Sequence, residues 1–455
     1  MACLRPTRPW RLLEGPLVLL ACLLGMCLVA ATAAGGSSAR SRPESSGPAG
    51  INLGLAFDYS ARNTKALARR VGYVFGGYFL NWRPDPRQAV RDADGYMPFD
   101  ADPWPQSVPG HSLQYWQAMH PDWIVYQCDR KTPAYYGSGD TNVPLDFSDP
   151  AVRAWQMGQV PKLLRQGATG IAFDDFTFAN FENRCGVYRQ GVWTPLNYPG
   201  IWQTSSTYTT DMLVWLRDMS REFRRRFPTK ALTVSLAPSV SGLANLKAVT
   251  PYVDMIFDEA GFTRYGTKRL SDGAWREEVA ALEYLSAHGK GFDVNGIVNA
   301  ADNESVTPAA VDWVLANYLL VKGPASYTYV YAGNGAGFTG SPSGYGTFYD
   351  RSVYHLPIGV PSSRLYASHG LELRNYSGGL VLVNPASTTS YHLALDRRYL
   401  DAERRSITSL VLPPATGIIL LASQGTGACR VQAPRRLASD SDVVSIKAAL
   451  RCPAL

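Results

Sequence analysis

The segment Gly170-Ile171-Ala172-Phe173-Asp174-Asp175-Phe176 constrains the fold of this chain more than any other. It is an apolar run, short enough for a strand, that stops in two consecutive carboxylates. A strand that is hydrophobic on both faces belongs in a parallel sheet covered by helices. Asp is depleted inside strands, so a pair at the exit serves either structure or chemistry. Parallel neighbours need a crossover of a dozen or more residues, so the segments on either side should alternate between strand and helix.

They do. Strand-like runs occur at Leu53–Phe57, Tyr73–Phe79, Trp123–Gln127, Gly170–Phe173, Leu232–Leu236, Met255–Phe257, Gly291–Val298 and Ser326–Tyr331. Helical patterns lie between several of them, at Ala151–Arg165, Thr209–Phe227, Asp272–His288 and Pro308–Val321. Eight such units over about 280 residues predict an α/β fold, a (β/α)8 TIM barrel occupying residues 51–364. No glycine-rich phosphate loop follows the first strand, which counts against a dinucleotide-binding sheet. Near residue 365 the pattern changes to short alternating runs (Leu371–Leu373, Gly379–Asn384, Tyr391–Leu395, Gly417–Ala422), which predicts a small C-terminal β-sandwich over 365–424. Residues 425–455 read as a tail with one short helical pattern, Val443–Arg451.

The N-terminus reads as a processing or anchoring segment. Arg5, Arg8 and Arg11 precede an apolar run from Leu17 to Ala34 that contains the small-residue site Ala31-Thr32-Ala33. Residues 1–34 are therefore expected to be a signal peptide or membrane anchor, and 35–50, rich in Gly, Ser and Pro, a flexible linker. The expected location is secreted, periplasmic or at the cell surface, with membrane attachment through the first segment as the one membrane contact. Outside that segment four cysteines remain, Cys128, Cys185, Cys429 and Cys452. Three pairings are possible, and the economical one joins 128 to 185 and 429 to 452. None shows zinc-type spacing and only six His are present, so no metal centre or cofactor is implied. A net charge of +7 is modest for 455 residues, and Arg224-Arg225-Arg226 reads as a solvated helix end, so no nucleic-acid partner is expected.

In a barrel, the side chains at strand exits build the site. Here Asp58, Asn81, Trp82, Asp129, Asp174, Asp175, Glu259, Asp293, Tyr329 and Tyr331 fall at or near the predicted exits. Carboxylates in such a ring suit glycosidic cleavage, where one acts as nucleophile or base and a second protonates the leaving oxygen. Consecutive strand residues point to opposite faces, so only one of Asp174 and Asp175 should face the mouth, and Asp174 is favoured. Trp104, Tyr135, Tyr136, Trp193 and Trp202 add flat rings in loops that could stack on sugars.

Several motifs in order strengthen this expectation: Pro121-Asp122-Trp123-Ile124-Val125-Tyr126, the run from Leu145 to Arg153, the Gly170–Phe176 segment, Phe257-Asp258-Glu259 and the run from Tyr318 to Pro324. Together they resemble hypothetical glycoside hydrolase family 15 and, more distantly, the endo-α-1,4-polygalactosaminidase-like barrels. The resemblance implies Asp174 as nucleophile and Glu259 as acid/base, while the strand-exit reading sets Asp58, Asn81, Trp82, Asp129, Asp175, Asp293, Tyr329 and Tyr331 as candidates to bind a polysaccharide or oligosaccharide substrate. Two alternatives compete. One is an inactive carbohydrate-binding barrel in a surface polysaccharide system, and the other a metal-assisted hydrolase using Asp58, Asp174 and Asp175.

Overall fold

The computed structural model describes residues 49–56, 70–78, 92–98, 111–135, 142–165, 167–259, 261–264, 269–298, 307–332, 348, 350–423, 430–436 and 445–451. Its central element is a parallel sheet of eight strands, β1 (Leu53–Ala56), β2 (Val71–Tyr78), β3 (Asp92–Pro98), β4 (Gly170–Asp174), β5 (Ala231–Ser235), β6 (Met255–Asp258), β7 (Gly291–Val294) and β8 (Ser326–Tyr327). They are hydrogen-bonded in chain order, and every neighbouring pair is parallel. The two outer strands also meet. Leu53 bridges Thr328 in parallel, the Gly54 N–H donates to the Thr328 carbonyl at 3.1 Å, and the Thr328 N–H donates to that of Asn52 at 3.0 Å. Four helices lie between strands as the crossovers require: α1 (Pro150–Leu164), α2 (Ser206–Arg226), α3 (Asp272–Ala287) and α4 (Pro308–Val321).

The third strand corrects the sequence reading. Trp123–Gln127 has strong β character, yet Val125–Tyr126 pairs antiparallel with Gly186–Arg189, which pairs with Val192–Pro195 in a separate three-stranded sheet. The place in the main sheet goes to Asp92-Ala93-Asp94-Gly95-Tyr96-Met97-Pro98, whose Asp, Gly and Pro are all poor strand formers. Its backbone pairing with β2 and β4 overrides that preference. The expected Cys128–Cys185 disulfide forms, and it staples the small sheet beside its first pairing. Cys429 and Cys452 lie outside the described residues.

Helix α2 shows how the sequence selects its element. Ser205 caps it by accepting from the Tyr208 N–H at 3.2 Å. Tyr208, Met212, Trp215, Leu216, Met219 and Phe223 are buried along one stripe at helical spacing. At its C-terminus Arg224 pairs with Asp254, and Arg225 and Arg226 pair with Glu222. Helix α4 differs because every residue from Trp313 to Val321 is buried. A helix apolar all round must be enclosed, and this one is covered by the C-terminal sheet, whose Gly417 approaches it so closely that a Cβ there would sit 2.6 Å from that of Ala316.

That C-terminal sheet has eight strands, seven along one path (Tyr366–Ser368, Leu371–Tyr376, Gly379–Asn384, Thr416–Ala422, Ser390–Leu400, Ser445–Arg451, Arg430–Arg436) with Ser406–Leu412 paired to Ser390–Leu400. Alternation divides it. Val381, Val383, Ile419 and Leu421 join the main core, whereas Leu380, Leu382 and Leu420 form a second core with Leu371, Leu373, Tyr391 and Leu393. The tail is not helical as its pattern predicts. Ser445–Arg451 runs as a strand parallel to Ser390–Leu395. Arg374 joins sheet to helix, donating from Nη1 to the carbonyls of Leu319 (3.3 Å), Leu320 (2.9 Å) and Lys322 (2.8 Å), where the last turn of α4 has no backbone donors left. Arg374→Ala should lower stability by about 2 kcal/mol, measured as urea unfolding, because three carbonyls lose a charged donor.

Candidate active site

Strand alternation fixes which carboxylates share a face. The Phe173 ring packs on Trp215 of α2 (4.9 Å between centroids), so Asp174 points to the opposite, interior side of the sheet. On β6, Phe257 stacks on Phe75 of β2 at 4.1 Å across that interior. Asp258 therefore turns outward, where its Oδ1 accepts from the Gly261 N–H at 3.0 Å, and Glu259 returns to the interior side. Register sets the height. Phe173, Val234 and Ile256 lie level across β4, β5 and β6, so Asp174 and Glu259 both stand at the carboxyl ends of their strands.

Asp175 completes the group. Its φ of +60° is left-handed, a conformation Asp tolerates but which costs about 1–3 kcal/mol and gathers at functional sites. Burial, then the charges of Asp174 and Glu259, push its carboxyl well above the usual carboxylate range. Asp175 is thus disposed to keep its proton at a pH where an isolated carboxyl would lose it, under the influence of Asp174 and Glu259 at the exits of two strands.

A buried wall stands behind this group, and sequence reasoning missed it. Glu182 and Arg184 form an ion pair with side chains 3% and 0% exposed. Burial pushes the Glu182 carboxyl up, with the charge of Asp175 adding, and pushes Arg184 down; both effects oppose the attraction of the pair itself. Arg184 Nη1 donates to the Tyr208 hydroxyl at 2.7 Å, and its guanidinium lies over the rings of Phe147 and Phe181. The Tyr208 phenol, pushed up to about 12 by burial, stays neutral. Asn180 clamps the segment. Its Oδ1 accepts from the Arg184 N–H at 2.9 Å, and its Nδ2 donates to the carbonyls of Arg184 (2.9 Å) and Pro199 (2.7 Å). The sequence signal for it was slight, an acid and a base two residues apart just before Cys185.

The other expected residues fall elsewhere. Asp129 follows no strand of the main sheet; it sits in an exposed turn, accepting from the N–H groups of Lys131 and Thr132 and from the Thr132 hydroxyl, which hold its carboxyl below the usual range. Asp293 is fully buried within the sheet, and a Cβ on Gly54 would lie 2.5 Å from its carboxylate. Burial, then the charge of Asp258, pushes it well up. Tyr329 and Tyr331 are also fully buried, with ring centroids 4.7 Å apart, and Tyr331 Oη accepts from the Ala56 N–H. Those three are thus interior groups. Asp58, Asn81 and Trp82, and with Asp58 the metal-assisted alternative, lie outside the described residues. Among the described residues no group of three or more His, Cys, Asp or Glu is placed to hold a metal ion, and no helix is long and apolar enough to cross a membrane. An open depression of about 490 Å³ lies at Asp122, Ser148, Asp149, Pro150, Arg189 and Gln190, none of them in the carboxyl group. Its Arg189 is committed to Asp146 and Asp149.

On the outer face Asp258 meets Glu278 of α3, whose Oε2 accepts from the Ser239 N–H at 2.9 Å. Burial and then Asp258 push Glu278 well above its usual range, so the folded protein keeps a proton that the unfolded chain releases near pH 4.5. This contribution to stability is complete below that pH and is lost as pH rises through the folded pKa. Glu278→Gln keeps an acceptor for Ser239 and offers a permanent donor to Asp258. Thermal melts from about pH 5 to about pH 8 should fall less steeply in this variant than in the wild type.

No protein-family model matches the chain, and no curated protein matches it. Solved structures do. The glycoside hydrolase domain of PelA from Pseudomonas aeruginosa is 13% identical over 62% of this chain and 96% of that one, with a TM-score of 0.38. A noncanonic maltogenic alpha-amylase, AmyB from Thermotoga neapolitana, is 11% identical over 82% and 97%, with a TM-score of 0.42. A family GH13_31 enzyme is 10% identical over 82% and 99%, with a TM-score of 0.48.

Proposed function

We propose that this chain is a glycoside hydrolase on a closed (β/α)8 barrel, exported from the cytoplasm and acting on an extracellular or cell-surface polysaccharide. What supports the reading is that Asp174 and Glu259 stand at the exits of β4 and β6 on the interior side and that the charges of both, after burial, raise the Asp175 carboxyl beside them. Glycoside cleavage needs an ionised carboxylate and a protonated carboxyl facing one bond, and closely held carboxyls supply both forms at the same pH. Asp174 attacks the anomeric carbon or orients a water to do so. Glu259 donates its proton to the leaving oxygen and then takes one from water. Asp175, beside both, holds the group's extra proton while the others exchange theirs. The hydrogen bonds between β1 and Thr328 support closure of the sheet. The Cys128–Cys185 disulfide, with the N-terminal apolar run, supports an oxidising compartment outside the cytoplasm. The resemblance to hypothetical family 15 belongs to the same proposal. An inactive sugar-binding barrel needs no such convergence.

The test is hydrolysis of a polysaccharide panel by the mature protein beside Asp174→Asn and Glu259→Gln. Products from the wild type that vanish in both variants uphold the enzyme. Binding without cleavage, equal in all three, overturns it.

A further inference from the structure

A second feature of the site lies at its rim. Trp202 is 70% exposed, and Ile201 beside it 52%, in the connection that leads from the small sheet into α2. An exposed Trp on a mobile loop would mean little, but this one is fixed. Its backbone has φ +61°, a conformation that bulky L-residues rarely adopt. Its N–H donates to the Asn180 carbonyl at 2.9 Å, and the Asn180 N–H donates to that of Gln203 at 2.9 Å. Its ring lies 5.7 Å from that of Phe181, over which the buried Arg184 guanidinium also lies. Glu182, the residue after Phe181, feels the charge of Asp175. From rim to carboxyl group the order is therefore Trp202, Phe181, then Glu182 and Asp175. A flat apolar surface held out to solvent stands beside a cluster of hydrogen-bond acceptors. A pyranose ring has the complementary surfaces, an apolar C–H face and a hydroxyl edge, and aromatic rings with a polar neighbour suit ligands of that kind.

We propose that Trp202, backed by Phe181, is a stacking platform for one pyranose ring of the substrate, next to the position where the bond is cut. The platform rests on the hydrolase reading for its occupant, but its test separates the two. In the uncleaving Asp174→Asn background, calorimetric titration with maltohexaose, cellohexaose, chitohexaose and an α-1,4-galactosamine hexamer should show binding of at least one. Adding Trp202→Ala should weaken that binding by about ten-fold, and Trp202→Phe should recover part of the loss. The melting temperature should stay within about a degree, because the ring is mostly in solvent. Binding that is unchanged by Trp202→Ala overturns the platform while leaving the hydrolase intact. Binding that depends on Trp202, from a protein that cleaves nothing, upholds the platform and overturns the hydrolase. No binding of any hexamer, or a dimer in light scattering that Trp202→Ala dissociates, overturns the platform.

Discussion

Glu259→Gln and Asp174→Asn are each expected to lower kcat by about 10²–10⁴-fold on whichever polysaccharide the wild type cleaves, with folding intact. Both changes preserve shape and remove only the ability to titrate. The loss should appear in kcat more than in KM, since a proton donor and a nucleophile act on the transition state rather than on the bound sugar. Asp175→Asn probes the shared proton. In the wild type the alkaline limb of the rate profile is expected to include loss of the proton from Asp175, whose carboxyl is raised by burial and by the charges of Asp174 and Glu259. With Asp175 neutral at every pH, Asp174 and Glu259 lose one adjacent negative charge, and the limb should move to lower pH. A profile that did not move would remove Asp175 from the unit, whereas unchanged rates in both other variants would sink the carboxylate mechanism.

Much of the site follows from local sequence. Gly170–Asp174 was legible because an apolar run ending in carboxylates satisfies few arrangements other than a buried parallel strand, but strand alternation could not place Asp175, which follows the strand with a left-handed backbone and feels the charges of Asp174 and Glu259. Glu259 was legible for the same reason at the end of Met255–Asp258. The third strand was not, because Asp92–Pro98 owes its extended form to backbone pairing with β2 and β4 rather than to its own residues. Depth was not legible either. Asp293, Tyr329 and Tyr331 stand near strand ends as expected, but only the packing around Gly54 and Ala56 decides that they are enclosed. Glu182 and Arg184 were hidden for a third reason: they follow no strand of the main sheet, and reach the site through a connection whose course depends on the Cys128–Cys185 staple and the Asn180 clamp.

Arg184→Met should cost about 3–5 kcal/mol of stability in urea unfolding, near the largest effect a single substitution in this chain can have. Arg184 is fully buried, and so nearly is its partner. Removing the cation strands the Glu182 carboxylate without water or countercharge. Glu182 must then take up a proton, and the Tyr208 hydroxyl loses its donor. Removing the carboxylate as well, in Glu182→Gln/Arg184→Met, should recover a substantial part of the loss, since a buried pair is worth far less than the penalty for leaving one charge alone. The two variants divide structure from chemistry. If the pair only fills space, the double variant regains stability and retains the wild-type rate profile on the cleaved polysaccharide. If the pair also sets the surroundings of the carboxyl group, the double variant regains stability while its rate profile departs from that of the wild type. The contrast is sharp because Arg184 is held by Glu182, the Tyr208 hydroxyl and the rings of Phe147 and Phe181, while of this pair it is Glu182 that feels the charge of Asp175.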